Sequence, residues 1–171
     1  PRKVYLHFYG DSKEKLPISD FIKEKMKDGR IFEAKVASKL KFVQPSEDIS
    51  YEEAFKQTIE FMKKGEDLIY QGIILHDNLI GIPDLLEKKP GKSKFGNWYY
   101  QPVDIKSGCS ARDEYMMQLC FYCFLLDQIQ GFYPPRLKIW FGNNSMRRFN
   151  SKDYEEKFNF YFNEIKKILC G

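Results

Sequence analysis

The chain is 171 residues long, 43% hydrophobic and 16% aromatic, which suits one packed domain over residues 1–171 and excludes intrinsic disorder. Its 28 Lys and Arg against 24 Asp and Glu leave a formal net charge of +4, so any phosphate-binding surface must come from local clustering. No apolar run approaches the roughly 20 residues that cross a bilayer and no secretory signal is visible, so the expected setting is the cytoplasm, away from membranes.

The chain opens on Pro1 without an initiator methionine, which reads as a processed or trimmed N-terminus. Val4 to Tyr9 is short and aromatic-rich, and its period does not choose between strand and helix. Pro17-Ile18-Ser19-Asp20 starts a helix expected to reach Asp28 and stop at Gly29. Phe32, Val36 and Leu40 then mark the apolar stripe of a second helix, with Glu33 beside the stripe and able to point at a sheet edge; a solvated helix carboxylate is the plainer reading. A third helix is expected from Tyr51 to Lys64, with Ser50 as its cap, Glu52 and Glu53 in its first turn and Gly65 as its stop.

Asp67 to Leu75 reads as a strand and His76-Asp77-Asn78 as a turn, where His76 is read as structural. Leu79 to Leu86 is a further apolar segment containing Ile80-Gly81-Ile82-Pro83-Asp84. Glu87 to Asn97, with Lys88, Lys89, Lys92 and Lys94 among Pro90, Gly91 and Gly96, has the composition of a mobile loop. Trp98-Tyr99-Tyr100 follows at once. Cations beside rings are the ingredients of a single-stranded nucleic-acid surface, so Lys92 and Lys94 are candidate DNA contacts; an ordinary soluble hairpin tip is the alternative.

Val103-Asp104-Ile105-Lys106 is the next strand. Side chains alternate along a strand, so Asp104 and Lys106 share one face while Val103 and Ile105 pack on the other. If the segment holding Asp84 is adjacent, two carboxylates and a lysine meet at one sheet edge. Such carboxylates raise each other's pKa unless a cation lies between them, and Mg²⁺ or Mn²⁺ suits an oxygen-only site. The competing readings are a turn aspartate after proline for Asp84 and a solvated edge strand for Asp104 and Lys106.

Ser107 to Ser110 turn the chain into a long helix from about Ala111 to Gln130, stopped by Gly131 and Pro134-Pro135. Tyr115, Gln118 and Tyr122 share its face toward the proposed site, whereas Met116, Leu119, Cys123 and Leu126 pack on the sheet. Arg136 to Phe141 and Met146 to Asn150 form a hairpin about Gly142-Asn143-Asn144, and Ser151 caps a last helix whose stripe is Tyr154, Phe158, Tyr161, Ile165 and Leu169. The cysteines, Cys109, Cys120, Cys123 and Cys170, are too few and scattered for a disulfide scaffold, and the C-x-x-C at Cys120 and Cys123 falls inside the helix as buried thiols.

The order Pro83-Asp84, Asp104-Ile105-Lys106, Gln118-x-x-x-Tyr122 resembles the PD-(D/E)XK nuclease superfamily, and the last element is similar to its RecB-like branch. Gly29 to Glu33, Gly81 to Asp84 and Val103 to Gly108 together resemble a family of RecB-type nucleases over most of the chain. The resemblance implies an α/β fold with a restriction-endonuclease-like core, a central mixed sheet flanked by helices. It implies a metal-dependent deoxyribonuclease acting on single-stranded ends, with Mg²⁺ or Mn²⁺ on Asp84, Asp104, the Ile105 carbonyl and Glu33. Lys106 would assist the attacking water, and Gln118, Tyr122 and Tyr115 would hold the DNA strand. Relatives of this kind are joined to helicases, so a helicase domain or subunit is an implied partner. Some carry an iron-sulfur cluster, but only Cys170 is suitably placed here and no cluster is expected. A non-cleaving DNA-binding accessory domain and a structural assembly domain are the other functions considered.

Overall fold

The computed structural model describes residues 18–170, so the segments Pro1 to Lys3 and Val4 to Tyr9 lie outside the described residues. The first helix, α1, runs Asp20–Ala37, with the Ser19 hydroxyl accepting from the Ile22 amide at 3.4 Å. It continues through Gly29 where two helices were expected. Gly29 keeps a right-handed backbone with nothing within 4 Å of a would-be Cβ, so here it is only a poor helix former, a cost of about 1 kcal/mol that does not break a helix. Helix α2, Tyr51–Lys64, matches its signals: Ser50 and Glu53 form a capping box, and Gly65 ends the helix at φ +73.

The expected strand from Asp67 to Leu75 is two strands, β1 (Leu68–Tyr70) and β2 (Ile74–His76). The break falls at Gln71, which takes φ +46, and at Gly72, where a Cβ would lie 2.9 Å from Leu86 Cδ1. Beyond it the Ile73 amide donates to the Thr58 hydroxyl on α2 (3.0 Å) rather than to a neighbouring strand. β2 pairs only with β3 (Leu79–Gly81), and Ile82-Pro83-Asp84 is an irregular link to β4 (Leu85–Ser93) rather than strand. β4 and β5 (Gly96–Lys106) form a long antiparallel hairpin where a mobile loop was expected. Two of its lysines are paired, Lys88 with Asp67 at 2.6 Å and Lys89 with Glu87 at 2.9 Å. Pro90 and Gly91 are absorbed where the register shifts, and Gly91 at φ +151 lies over Tyr99 too closely for a Cβ.

Helix α3 (Asp113–Gln130) carries the chain from β5 to β6 (Arg136–Phe141), which therefore pairs in parallel with β5, and β7 (Met146–Asn150) returns antiparallel. The order β1-β4-β5-β6-β7 makes this an α/β protein with a central mixed sheet. On one face α3 buries Met116, Leu119, Cys123, Leu125 and Leu126 against Leu137, Ile139, Tyr100 and Leu86, and α4 (Lys152–Cys170) packs outside it. On the other face Val36 of α1 meets Leu85, Val103 and Ile105. Along α4 it is Phe162 that stacks on Phe158 (5.2 Å between centroids), while Tyr161 and Leu169 of the expected stripe are exposed. Cys120 and Cys123 are buried free thiols, as expected. Among the described residues no helix is long and apolar enough to cross a membrane.

Candidate active site

The end of β5 is where the two sheet faces, α1 and α3 converge. β4 pairs with β5 from Leu85 and Val103 back toward the hairpin. Pro83 has no amide hydrogen to extend that ladder. The Ile105 amide donates instead to Asp84 Oδ2 at 2.6 Å, so a side chain takes the place of the missing strand neighbour and fixes the carboxyl at the mouth of the sheet. Asp104 follows the alternation onto the α3 face, where it is 1% exposed. Its Oδ1 accepts from Lys106 Nζ at 2.9 Å, while Oδ2 is buried with no hydrogen-bond partner.

Burial, with like charge from Asp104 and Glu33, pushes the Asp84 carboxyl up to about 8. Asp104 is also raised, chiefly by burial, although the Lys106 ammonium pulls the other way. The two carboxyls are close enough that the charge on Asp104 acts on Asp84. Without a counter-ion, burial favours the protonated form of both carboxyls. Glu33 comes from α1 to the rim of the same pocket, of about 240 Å³, beside Arg30, Asp84, Ile105 and Lys106. Among the described residues no group of at least 3 His, Cys, Asp or Glu side chains forms a metal-ligating cluster. A small hard cation needs only one or two carboxylates when water and a ligand's phosphate complete its shell. The orphaned Asp104 Oδ2 and the raised pair are what such an ion would satisfy, so Asp84 and Asp104 fit it as a two-carboxylate site, with Glu33 on the pocket rim outside the pair.

From α3, Gln118 accepts from Lys106 Nζ at 3.5 Å and donates to the Tyr122 hydroxyl at 2.8 Å, which in turn donates to the Ile82 carbonyl at 3.1 Å. The ring of Tyr115 lies 5.0 Å from the Lys106 ammonium. Gln118 is exposed, whereas Tyr122 is buried and its hydroxyl joins Gln118 to the Ile82 carbonyl, which ties α3 to the segment that carries Asp84. Gly81 makes room for it, since a Cβ there would lie 3.0 Å from the Tyr122 ring. Lys92 and Lys94 are not brought to this site. They sit at the far end of the β4–β5 hairpin, where Lys94 packs on Gly131 and donates to the Gln128 carbonyl at the end of α3.

Two residues of the site escaped the sequence reading. Arg30, one helical turn before Glu33, is a second cation of the pocket wall beside Lys106. Gln71 donates its amide hydrogen to the Asp84 carbonyl at 3.0 Å and its side-chain amide to Glu33 Oε1 at 2.9 Å and to the Tyr70 hydroxyl at 3.2 Å. A non-glycine residue at φ +46 costs about 1 kcal/mol, and these bonds are what keep it there. The Gly72 beside it was the only signal of a bend. Gln71→Gly is therefore expected to be about 1 kcal/mol more stable to urea than Gln71→Ala, with both freeing Glu33. Equal stability would show that the left-handed backbone carries no strain.

No family model matches the chain, and no curated protein matches it either.

Proposed function

We propose that the protein is a divalent-metal-dependent nuclease that hydrolyses phosphodiester bonds in DNA, on a restriction-endonuclease-like core of the PD-(D/E)XK superfamily and its RecB-like branch. The observation that carries this reading is the Asp84–Asp104 pair, with its buried unpartnered Asp104 Oδ2 and the Lys106 ammonium 2.9 Å from Oδ1. A stability-driven core has no use for such a pair, and a pure nucleic-acid binder has none either, because clustered carboxylates repel phosphate.

Mg²⁺ or Mn²⁺, held by Asp84 and Asp104, would supply Lewis acidity and a bound water of lowered pKa. The chain's own groups do the rest. Arg30 and Lys106 line the pocket and offer cations to the phosphate. Lys106 is fixed by Asp104 and Gln118, so its ammonium orients the attacking water and neutralises charge that develops on the phosphate. The Tyr122–Ile82 bond holds the Asp84 segment while this happens. The preferred substrate is a single-stranded end, and a helicase domain or subunit is the kind of partner that would present one.

The test is incubation of linear single-stranded, linear duplex and circular single-stranded DNA with the protein in Mg²⁺, Mn²⁺ or EDTA. Metal-dependent loss of the linear strand with the circle spared is the expected result. DNA retained equally in EDTA and never cut would make the protein an accessory binding domain.

A further inference from the structure

A second pocket, of about 210 Å³, opens between the start of α2 and the bend after β1, and its lining includes Gln44, Glu47, Tyr51, Tyr70 and Gln71. Its rim is held in place. Gln57 accepts from the Ser46 amide at 2.7 Å and donates to the Ser46 hydroxyl at 3.2 Å, the Ser50–Glu53 capping box anchors the residue before Tyr51, and Phe42 backs the Tyr70 ring at 4.9 Å. Tyr51 nevertheless presents a ring that is 58% exposed, although it sits at the first position of a well-packed helix.

Gln71 links the two pockets. It lines this one, and through its bonds to the Asp84 carbonyl and to Glu33 it forms part of the frame of the acidic site. A strand whose phosphate lies beside Asp84 would carry its neighbouring nucleotide toward the second pocket past Gln71. The lining tells which part of that nucleotide fits. Tyrosine rings offer a stacking surface that accepts any base. The Gln44 amide donates and accepts, the Gln71 side-chain carbonyl accepts while its N–H groups are held by Glu33 and Tyr70, and the Glu47 carboxylate accepts from an exocyclic amine. The same carboxylate disfavours a phosphate.

We infer that this pocket receives an unpaired nucleobase adjacent to the scissile phosphate, stacked on Tyr51, and that it makes the enzyme select single strands. The inference rests on the nuclease reading. A base can enter only when it is out of a duplex, so the pocket supplies the strand preference that the acidic site alone does not.

The test walks a single abasic nucleotide along a labelled single strand and measures cleavage in Mg²⁺ by the wild type, Tyr51→Ala and Tyr51→Phe. For the wild type, one abasic position next to the cut is expected to raise KM about tenfold, the loss of one stacked base. Tyr51→Ala is expected to raise KM by a similar factor with kcat little changed, and to abolish the penalty at that one position, because both changes remove the same contact. Tyr51→Phe, which keeps the ring, should behave as wild type. Wild-type cleavage that is indifferent to every abasic position, or penalties that simply multiply in Tyr51→Ala, would overturn the pocket and leave the nuclease reading standing. Absence of wild-type cleavage would overturn both.

Discussion

Asp104→Asn is expected to be more stable than the wild type in EDTA and inactive in Mg²⁺. The two effects have one cause. In the metal-free protein Asp104 is buried beside Asp84, one of its oxygens has no partner, and both carboxyls are raised by burial. Replacing one carboxylate by a neutral amide of the same shape removes the repulsion and keeps the volume. The sign of the pH dependence follows from Asp84, whose folded value is about 8 against an ordinary 3.8. Between those values the folded protein holds a proton that the unfolded chain has released. Wild-type stability in EDTA therefore falls as pH rises through that window, by up to about 1.4 kcal/mol per pH unit for the one proton. Denaturant titrations from pH 4 to pH 8 should show a clear slope for wild type and a shallower one for Asp104→Asn, and saturating Mg²⁺ should raise and flatten the wild-type curve alone. The groups that face the pair, Glu33, Lys106 and Tyr122, are the same in both proteins. A less stable Asp104→Asn with an unchanged slope would mean that the acid pair is not under electrostatic load.

Lys106→Ala is expected to fold and to lose cleavage by about 10²–10⁴-fold, with the larger part of the loss in kcat. Its side chain is 24% exposed and serves no apolar cluster, so the deletion leaves the cores intact. What it removes is the cation that faces both Asp104 and the pocket. Lys106→Arg should not rescue activity, because a planar guanidinium cannot occupy the point-charge position between Asp104 Oδ1 and Gln118 Oε1. Single-turnover rates would separate a chemical defect from a binding one. A Lys106→Ala variant that cleaves within a few-fold of wild type would remove the lysine from the chemistry.

The parts legible in the sequence were those governed by local rules. The Ser50 cap with Gly65, the alternation that places Asp104 and Lys106 on one face, and the spacing of Gln118 and Tyr122 each depend on residues close in the chain. The misread parts were decided by distant partners. Glu87 to Asn97 is polar and glycine-rich, yet it is strand because Asp67, Glu87 and Tyr99 neutralise or cover it. Gly29 has helix-stop chemistry, but the turns on either side outweigh it. Gln71 gave no signal because its importance lies in bonds to Glu33, 38 residues earlier, and to the Asp84 carbonyl. Tyr122 was placed on the right face, and only its burial shows that its hydroxyl is spent on Ile82.

We propose that the Asp84–Asp104 pair serves phosphodiester hydrolysis. This is tested most directly by single-turnover cleavage of an end-labelled single strand by wild type and Asp104→Ala, side by side in Mg²⁺, with DNA binding by both proteins measured in EDTA. Cleavage by wild type alone is expected, with comparable binding by the two proteins. Equal cleavage by both, or none by either in the presence of metal, would contradict it.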